Sequence, residues 1–244
     1  MNKEILKLEN ISLSYDNKKT YVLKDISFWV FSWEILSIIW VNGSWKSSLL
    51  KIIAWINKQS SWKIIKNYNS LSYVPQKINL DDSFPILVEE FIKIYNEKVK
   101  LEDIEKLLEK FNSKDLIWKR VDRLSWWQLQ KVLIVSSLLS NPDLILLDEP
   151  TAWIDIIWEE IFYKLIKEVK EIFPKISIIL VSHNINLVYK NSDKVICLHE
   201  NNFCCHGSPM EIWNNPLIKA MFWGYTLPYK HNPHSHEEHK NNSN

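Results

Sequence analysis

Lys46-Ser47 ends the stretch Trp40-Val41-Asn42-Gly43-Ser44-Trp45-Lys46-Ser47. It follows an apolar, β-branched run at 35–39 and precedes helical periodicity over 47–56. A lysine and a hydroxyl at that junction match the end of G-x-x-x-x-G-K-[ST], a loop that wraps backbone N–H groups around a phosphate at a helix N-terminus. Trp40 and Trp45 stand where that pattern has its glycines. An indole at either position fills space the phosphate needs, because the ligand is held by closely approaching backbone. As written, the loop is a poor nucleotide cradle.

The same replacement recurs. Leu124-Ser125-Trp126-Trp127-Gln128 and Thr151-Ala152-Trp153-Ile154-Asp155 become Leu-Ser-Gly-Gly-Gln and Thr-Ala-Gly-Ile-Asp when Trp is read as Gly. Trp33, Trp55 and Trp62 sit where a turn or helix cap favours glycine. The chain has 13 Trp and 3 Gly in 244 residues, where average usage gives about 17 Gly. Glycine supplies the positive-φ positions of turns, and an α/β chain with so few would struggle to make them. The pattern is that of a gene using UGA for glycine, read with a table that gives tryptophan. Trp29, Trp118 and Trp213 fit this reading least well, and genuine tryptophan at all 13 positions is the alternative.

The elements that must position these residues follow from periodicity. Residues 4–15 and 21–31 alternate apolar and polar as strands. Further strands are expected at 35–39, twice within 62–75, and at 144–147 and 176–181, with a hairpin over 194–198 and 202–206. Helices are expected at 47–56, 86–97, 101–111, 128–139, 159–173 and 185–190. Strands alternating with helices predict an α/β fold with a largely parallel core, and the helix-only stretch from about 86 to 140 reads as an insert. No internal repeat is visible, and the polar tail from Leu227 reads as disordered.

Composition narrows the function classes. With 46% hydrophobic and 24% charged residues the chain is globular. A formal charge of +1 provides no bulk field for nucleic acid or a membrane surface. Three cysteines are too few for a disulfide scaffold and favour a reducing compartment. The first residues lack the apolar core of a signal peptide, and Glu34 interrupts the best apolar candidate, so no run of about 18 apolar residues is expected to span a bilayer.

Two groups carry metal-ligand chemistry. His231, His234, His236 and His239 crowd the tail with Glu237 and Glu238; neutral imidazoles on a flexible segment could gather zinc, and a merely solvated tail is the other reading. Cys197, His199, Cys204, Cys205 and His206 are either hairpin residues or a metal cluster.

With glycine restored, the chain resembles the ATP-binding subunits of ABC transporters over about residues 4–225, with their motifs in order. It is most similar to those of zinc and manganese importers, of the zinc type, through Thr151-Ala152-Trp153-Ile154-Asp155, Val195-Ile196-Cys197-Leu198 and Phe203-Cys204-Cys205-His206-Gly207. The resemblance implies a P-loop NTPase (RecA-like) core with an antiparallel β subdomain and an inserted helical subdomain at about 77–140. The nucleotide-binding domain would cover 1–226, leaving 227–244 as tail. It also implies roles. Tyr15 would stack on adenine. Residues 40–48 (Trp40, Val41, Asn42, Gly43, Ser44, Trp45, Lys46, Ser47, Ser48) would form the phosphate loop, with Lys46 on β- and γ-phosphate oxygens. Ser47, Gln76 and Asp148 would hold Mg²⁺, and Glu149 would orient or deprotonate the hydrolytic water. His183 would bond the γ-phosphate. Ser125, Trp126, Trp127 and Gln128 would bind the γ-phosphate carried by a second copy, and Asp155 would touch that copy. Val41 and Asn184 depart from the common residues without threatening the chemistry.

The implied cofactors are ATP and Mg²⁺. The implied partners are a second copy in a head-to-tail nucleotide sandwich, an integral-membrane permease and, through it, an extracytoplasmic metal-binding protein, with no nucleic acid. The expected location is the cytoplasmic face of the cell membrane. Manganese or iron import is the nearest alternative, and a non-catalytic module follows if the tryptophans are genuine. A soluble relative acting on ribosomes or DNA is disfavoured, since those usually carry two cassettes or large insertions.

Overall fold

Alternation decides which side of the sheet each strand covers. The structure, a computed structural model, describes residues 3–14, 21–40, 46–56, 63–76, 78, 85–151, 155–199, 202–216 and 218–219. Strands β1 (Glu4–Ser14), β2 (Tyr21–Phe31) and β4 (Lys63–Lys66) form an antiparallel group, with β1 between the other two. Strands β3 (Ile35–Trp40), β5 (Leu71–Val74), β6 (Leu144–Leu147), β7 (Ser177–Ser182) and β8 (Lys194–His199) run parallel, and β9 (Asn202–Gly207) closes a hairpin on β8. The order is β4-β1-β2-β9-β8-β3-β7-β6-β5. Both β6 and β7 are buried at every position, which explains the unbroken apolar sequence of β6 and the apolar run at 178–181 inside β7.

Successive residues of the parallel strands feed two cores. Leu36, Ile38, Leu146 and Val181 pack with Leu49, Leu50 and Ile53 of helix α1 (Lys46–Ile53) and with the antiparallel strands. Ile35, Ile39, Leu147 and Leu180 face the other way. There they meet residues of α2 (Val88–Tyr95), α3 (Leu101–Lys110), α4 (Trp126–Leu139), α5 (Ile156–Ile172) and α6 (Ile185–Asn191).

Caps shift several boundaries from those periodicity predicts. Helix α4 begins at Trp126, not 128, because Ser125 Oγ accepts from the Gln128 N–H while Gln128 Oε1 accepts from the Ser125 N–H. Helix α5 begins three residues early, where the Glu159 N–H bonds Asp155 O at 3.1 Å without help from the Asp155 side chain. Helix α7 (Pro209–Asn214) escapes a periodicity reading altogether; a Ser208–Glu211 capping box starts it.

Helix α1 ends earlier than predicted, and the turn that ends it is informative. The Ile56 N–H bonds Lys51 O at 2.9 Å and the Trp55 N–H bonds Ile52 O at 3.1 Å. These are the paired bonds of a Schellman cap, whose left-handed residue is usually glycine. Here that residue is Trp55, at φ 61°; Trp33, in the β2–β3 turn, has φ 68°. Both are half exposed. Of the other described non-glycine residues at positive φ, all but Glu149 are Asn or Asp, which tolerate this conformation.

Candidate active site

Parallel register brings the chemistry to one edge. Val74 pairs with Leu147, Leu147 with Leu180, and Ile39 with Ser182, so β3, β5, β6 and β7 end together. The residues just past those ends include Gln76, Asp148-Glu149 and His183. This is the edge at which open parallel sheets bind ligands.

Asp148 is 1% exposed. Tyr73 Oη donates to its Oδ2 at 2.7 Å, and the Ser47 hydroxyl also steadies its charged form. Tyr73 pairs with Leu146, two residues before Asp148, so Tyr73 and Asp148 lie on the face covered by α1, which carries Ser47. Burial raises the Asp148 carboxyl above its ordinary value; Tyr73 and Ser47 oppose this, the Glu149 charge adds to it and Lys51 counters it. Burial, then Asp148 itself, pushes the Tyr73 hydroxyl far upward. Asp148 Oδ1 is buried with no hydrogen bond of full geometry. An unpartnered carboxylate oxygen beside a serine hydroxyl is a donor set suited to Mg²⁺, a hard cation that takes oxygen ligands.

Glu149 sits at φ 43°. Gln76 Nε2 donates to Glu149 Oε2 at 2.9 Å, so the exposed amide past β5 holds the carboxylate past β6. His183 is exposed immediately after β7. Hydrogen bonds and adjacency thus bring Ser47, Gln76, Asp148 and Glu149 together. Ser125 and Gln128 instead bond each other at the start of α4. Trp126 and Trp127, in the first turn of α4, pack partly buried against the helical-side core. Asp155 is exposed and makes no side-chain cap bond. Ser48 is buried.

Trp40 ends β3 and Lys46 opens α1, but their side chains, like Tyr15, Val41, Asn42, Gly43, Ser44, Trp45 and Trp153, lie outside the described residues. So do the tail histidines His231, His234, His236 and His239, and the side chains of His199 and Cys204. In the hairpin, Cys197 pairs with Cys205 and both are buried. Burial lowers the His206 imidazole, whose ring meets Trp29 edge-on at 5.0 Å. Among the described residues no three His, Cys, Asp or Glu side chains converge as a metal site.

A family model described as ABC transporter matches residues 23–152. The zinc import ATP-binding protein ZnuC of Wigglesworthia glossinidia brevipalpis is 40% identical over 233 residues, covering 93% of this chain and 98% of the relative. The chain belongs to the ABC transporter family. ZnuC of Rickettsia bellii is 33% identical over 237 residues, covering 95% of this chain and all of that one. Among solved structures, a chain of a metal-chelate type ABC transporter in an inward-facing conformation superposes with a TM-score of 0.78 at 24% identity, over 91% of this chain and 90% of its own length. A nucleotide-free ATP-binding cassette from an ABC transporter gives 0.76 at 19% identity, over 90% and 98%. The fold is therefore the P-loop NTPase core of an ABC ATPase with its antiparallel β and helical additions, and the chain is an ATPase of the transport-coupled kind. Tyr73, which donates to Asp148, is a residue that the motifs pass over; its position three residues before Gln76 is its sequence signal.

Proposed function

We propose that this chain is the ATP-hydrolysing subunit of an importer that takes up zinc. The observation that carries the reading is the pair of hydrogen bonds Tyr73–Asp148 and Gln76–Glu149 at the ligand edge of the sheet, in a chain whose relatives across nearly its whole length are zinc import ATP-binding proteins. Lys46 and the backbone of residues 40–48 bind the phosphates of ATP, and Tyr15 stacks on its adenine. Ser47, Gln76 and Asp148 hold Mg²⁺, which when bound neutralises phosphate oxygen charge. Glu149, held by Gln76, orients and deprotonates the attacking water, and His183 donates to the γ-phosphate. Ser125, the backbone at 126–127 and Gln128 reach the γ-phosphate of a second copy, and Asp155 touches that copy, so two chains complete two sites.

Among the described residues no helix is long and apolar enough to cross a membrane. A permease supplies the path, with this chain on its cytoplasmic face and an extracytoplasmic metal-binding protein beyond it. A groove of about 360 Å³ beside edge strand β5, lined by Pro75, Ile78, Phe91, Tyr95 and Leu133, suits a short permease helix. It lies between strand β5 and helices α2 and α4, which we assign to the core and to the helical subdomain of about 77–140 respectively. The domain runs over 1–226, and the His-rich segment 227–244 buffers or senses metal.

We further propose that the native protein has glycine at the tryptophan positions of the phosphate loop, the signature at 125–128 and the turns. The left-handed backbone at Trp33 and at the Schellman position Trp55 supports this, because a bulky side chain is disfavoured there. Peptide masses of the protein from the cells that make it test the point directly: tryptophan at 45, 126 and 127 overturns it.

The function is tested by metal uptake into vesicles holding the reconstituted complex. ATP-dependent accumulation of Zn²⁺ in preference to Mn²⁺ is expected; preference for Mn²⁺ overturns the zinc assignment, and ATP-independent uptake overturns the motor.

A further inference from the structure

Glu159, in the first turns of α5, is 3% exposed and forms no ion pair among the described residues. A buried carboxylate persists only if its oxygens are satisfied. Its Oε1 accepts from Thr151 Oγ1 at 3.2 Å, and its Oε2 accepts from Asn184 Nδ2 at 2.7 Å. Thr151 lies two residues beyond Glu149, and Asn184 directly follows His183. One side chain thus ties the segment leaving β6 to the segment leaving β7.

Asn184 cannot turn its amide around without loss. Its Oδ1 accepts the Leu187 N–H at 3.2 Å as the N-cap of α6, which leaves Nδ2 for Glu159, and its backbone N–H bonds Ser182 Oγ at 3.1 Å. The contact therefore needs one carboxylate and one amide. Two carboxylates at this distance cannot both stay ionised.

We propose that Glu159 and Asn184 form a matched carboxylate–amide pair that positions His183 and the segment of Glu149 against each other. Glu159 touches no nucleotide; it is a positioning residue, and its role rests on the reading of His183 and Glu149 given above. The pair is exchangeable. With Asp at 184 and Gln at 159, the Gln amide donates to the new carboxylate while its carbonyl accepts from Thr151.

The test is a substitution cycle in the full chain carrying glycine at its tryptophan turn and motif positions, read as kcat and KM for ATP. Asn184→Asp is expected to lower kcat about 10-fold, as expected for a misplaced catalytic group, with KM changed less than about 2-fold. Capping alone predicts no loss, since Asp caps helices as well as Asn. Adding Glu159→Gln is expected to restore kcat to within about 2-fold of the parent. An unchanged kcat in Asn184→Asp overturns the proposal, as does a loss that Glu159→Gln fails to restore. His183→Ala runs beside the cycle. If it keeps the parent kcat, the reading of the site falls and the positioning role with it; if it loses activity while the cycle shows no rescue, only the pair is wrong.

Discussion

Gln76 Nε2 and Glu149 Oε2, from segments that leave adjacent strands, are joined by a hydrogen bond of 2.9 Å. The bond fixes the carboxylate whose backbone already sits at φ 43°. If Glu149 is the base, Glu149→Gln removes proton abstraction but not phosphate binding. Phosphate release is expected to fall at least about 100-fold while ATP binding stays. Steady-state hydrolysis measured beside equilibrium ATP binding checks both halves. A variant that still hydrolyses at the parent rate removes Glu149 from the chemistry.

Tyr73 donates to one oxygen of Asp148, and the other, buried without a hydrogen bond, is the one the proposed Mg²⁺ would take. Tyr73→Phe keeps the ring and deletes only that bond. The Mg²⁺ concentration for half-maximal nucleotide binding is expected to rise about 10-fold, as for other hydrogen-bonded metal carboxylates. Nucleotide affinity in excess chelator should not move. An equal weakening with and without Mg²⁺ would assign Tyr73 to packing alone.

Much of this arrangement is legible in the sequence. Leu144–Leu147 is apolar throughout because β6 is covered on both faces, so Asp148-Glu149 must emerge at its end. The Tyr73–Asp148 and Glu159–Asn184 bonds are not legible. The first depends on the register that sets Tyr73 opposite Leu146, and the second joins residues 25 positions apart in sequence. The start of α4 was within reach, since Ser125 and Gln128 have capping-box spacing; Trp126-Trp127 breaks the periodicity that would have revealed it. Helix α7 spans six residues, too few for periodicity to register; its Ser208–Glu211 spacing and Pro209 at the first helical position announce it.

Replacing an exposed tryptophan by glycine ordinarily loosens a protein. Trp55→Gly and Trp33→Gly are expected to stabilise this one by about 1 kcal/mol each, because an L-residue in the left-handed region costs about 1–2 kcal/mol. Trp55 forfeits its contact with Lys66, whose ammonium lies 4.0 Å from the ring centroid, worth about 0.5 kcal/mol at an exposed site. Trp118 is 60% exposed without a positive φ, so Trp118→Gly serves as the control and should not stabilise. Urea midpoints of the three variants give the comparison; a rise for Trp118→Gly equal to the other two would contradict the backbone argument.

Glu34 gives a pH signature. Burial raises its carboxyl above the ordinary 4.5, against the Phe31 N–H that donates to it at 2.7 Å and the Lys194 charge, with Asp193 adding to the rise. A raised folded-state pKa means the native state holds the proton longer than the unfolded state. Its stabilising contribution is full below 4.5 and is lost as pH climbs through the raised value. Glu34→Gln removes this titration, so the variant should lose less stability than the parent between acid and neutral pH in denaturant melts. Parallel stability–pH curves would show that Glu34 does not titrate as described.

Equilibrium ATP binding in Mg²⁺ is to be compared between two forms of this chain: the tryptophan sequence, and the same chain with glycine at 40, 45, 126, 127 and 153. Saturable binding is expected for the glycine form, lost in its Lys46→Ala variant, and little binding for the tryptophan form. A glycine form that leaves ATP unbound, or a tryptophan form that binds it equally well, would show that the nucleotide is not held by bare backbone at these positions.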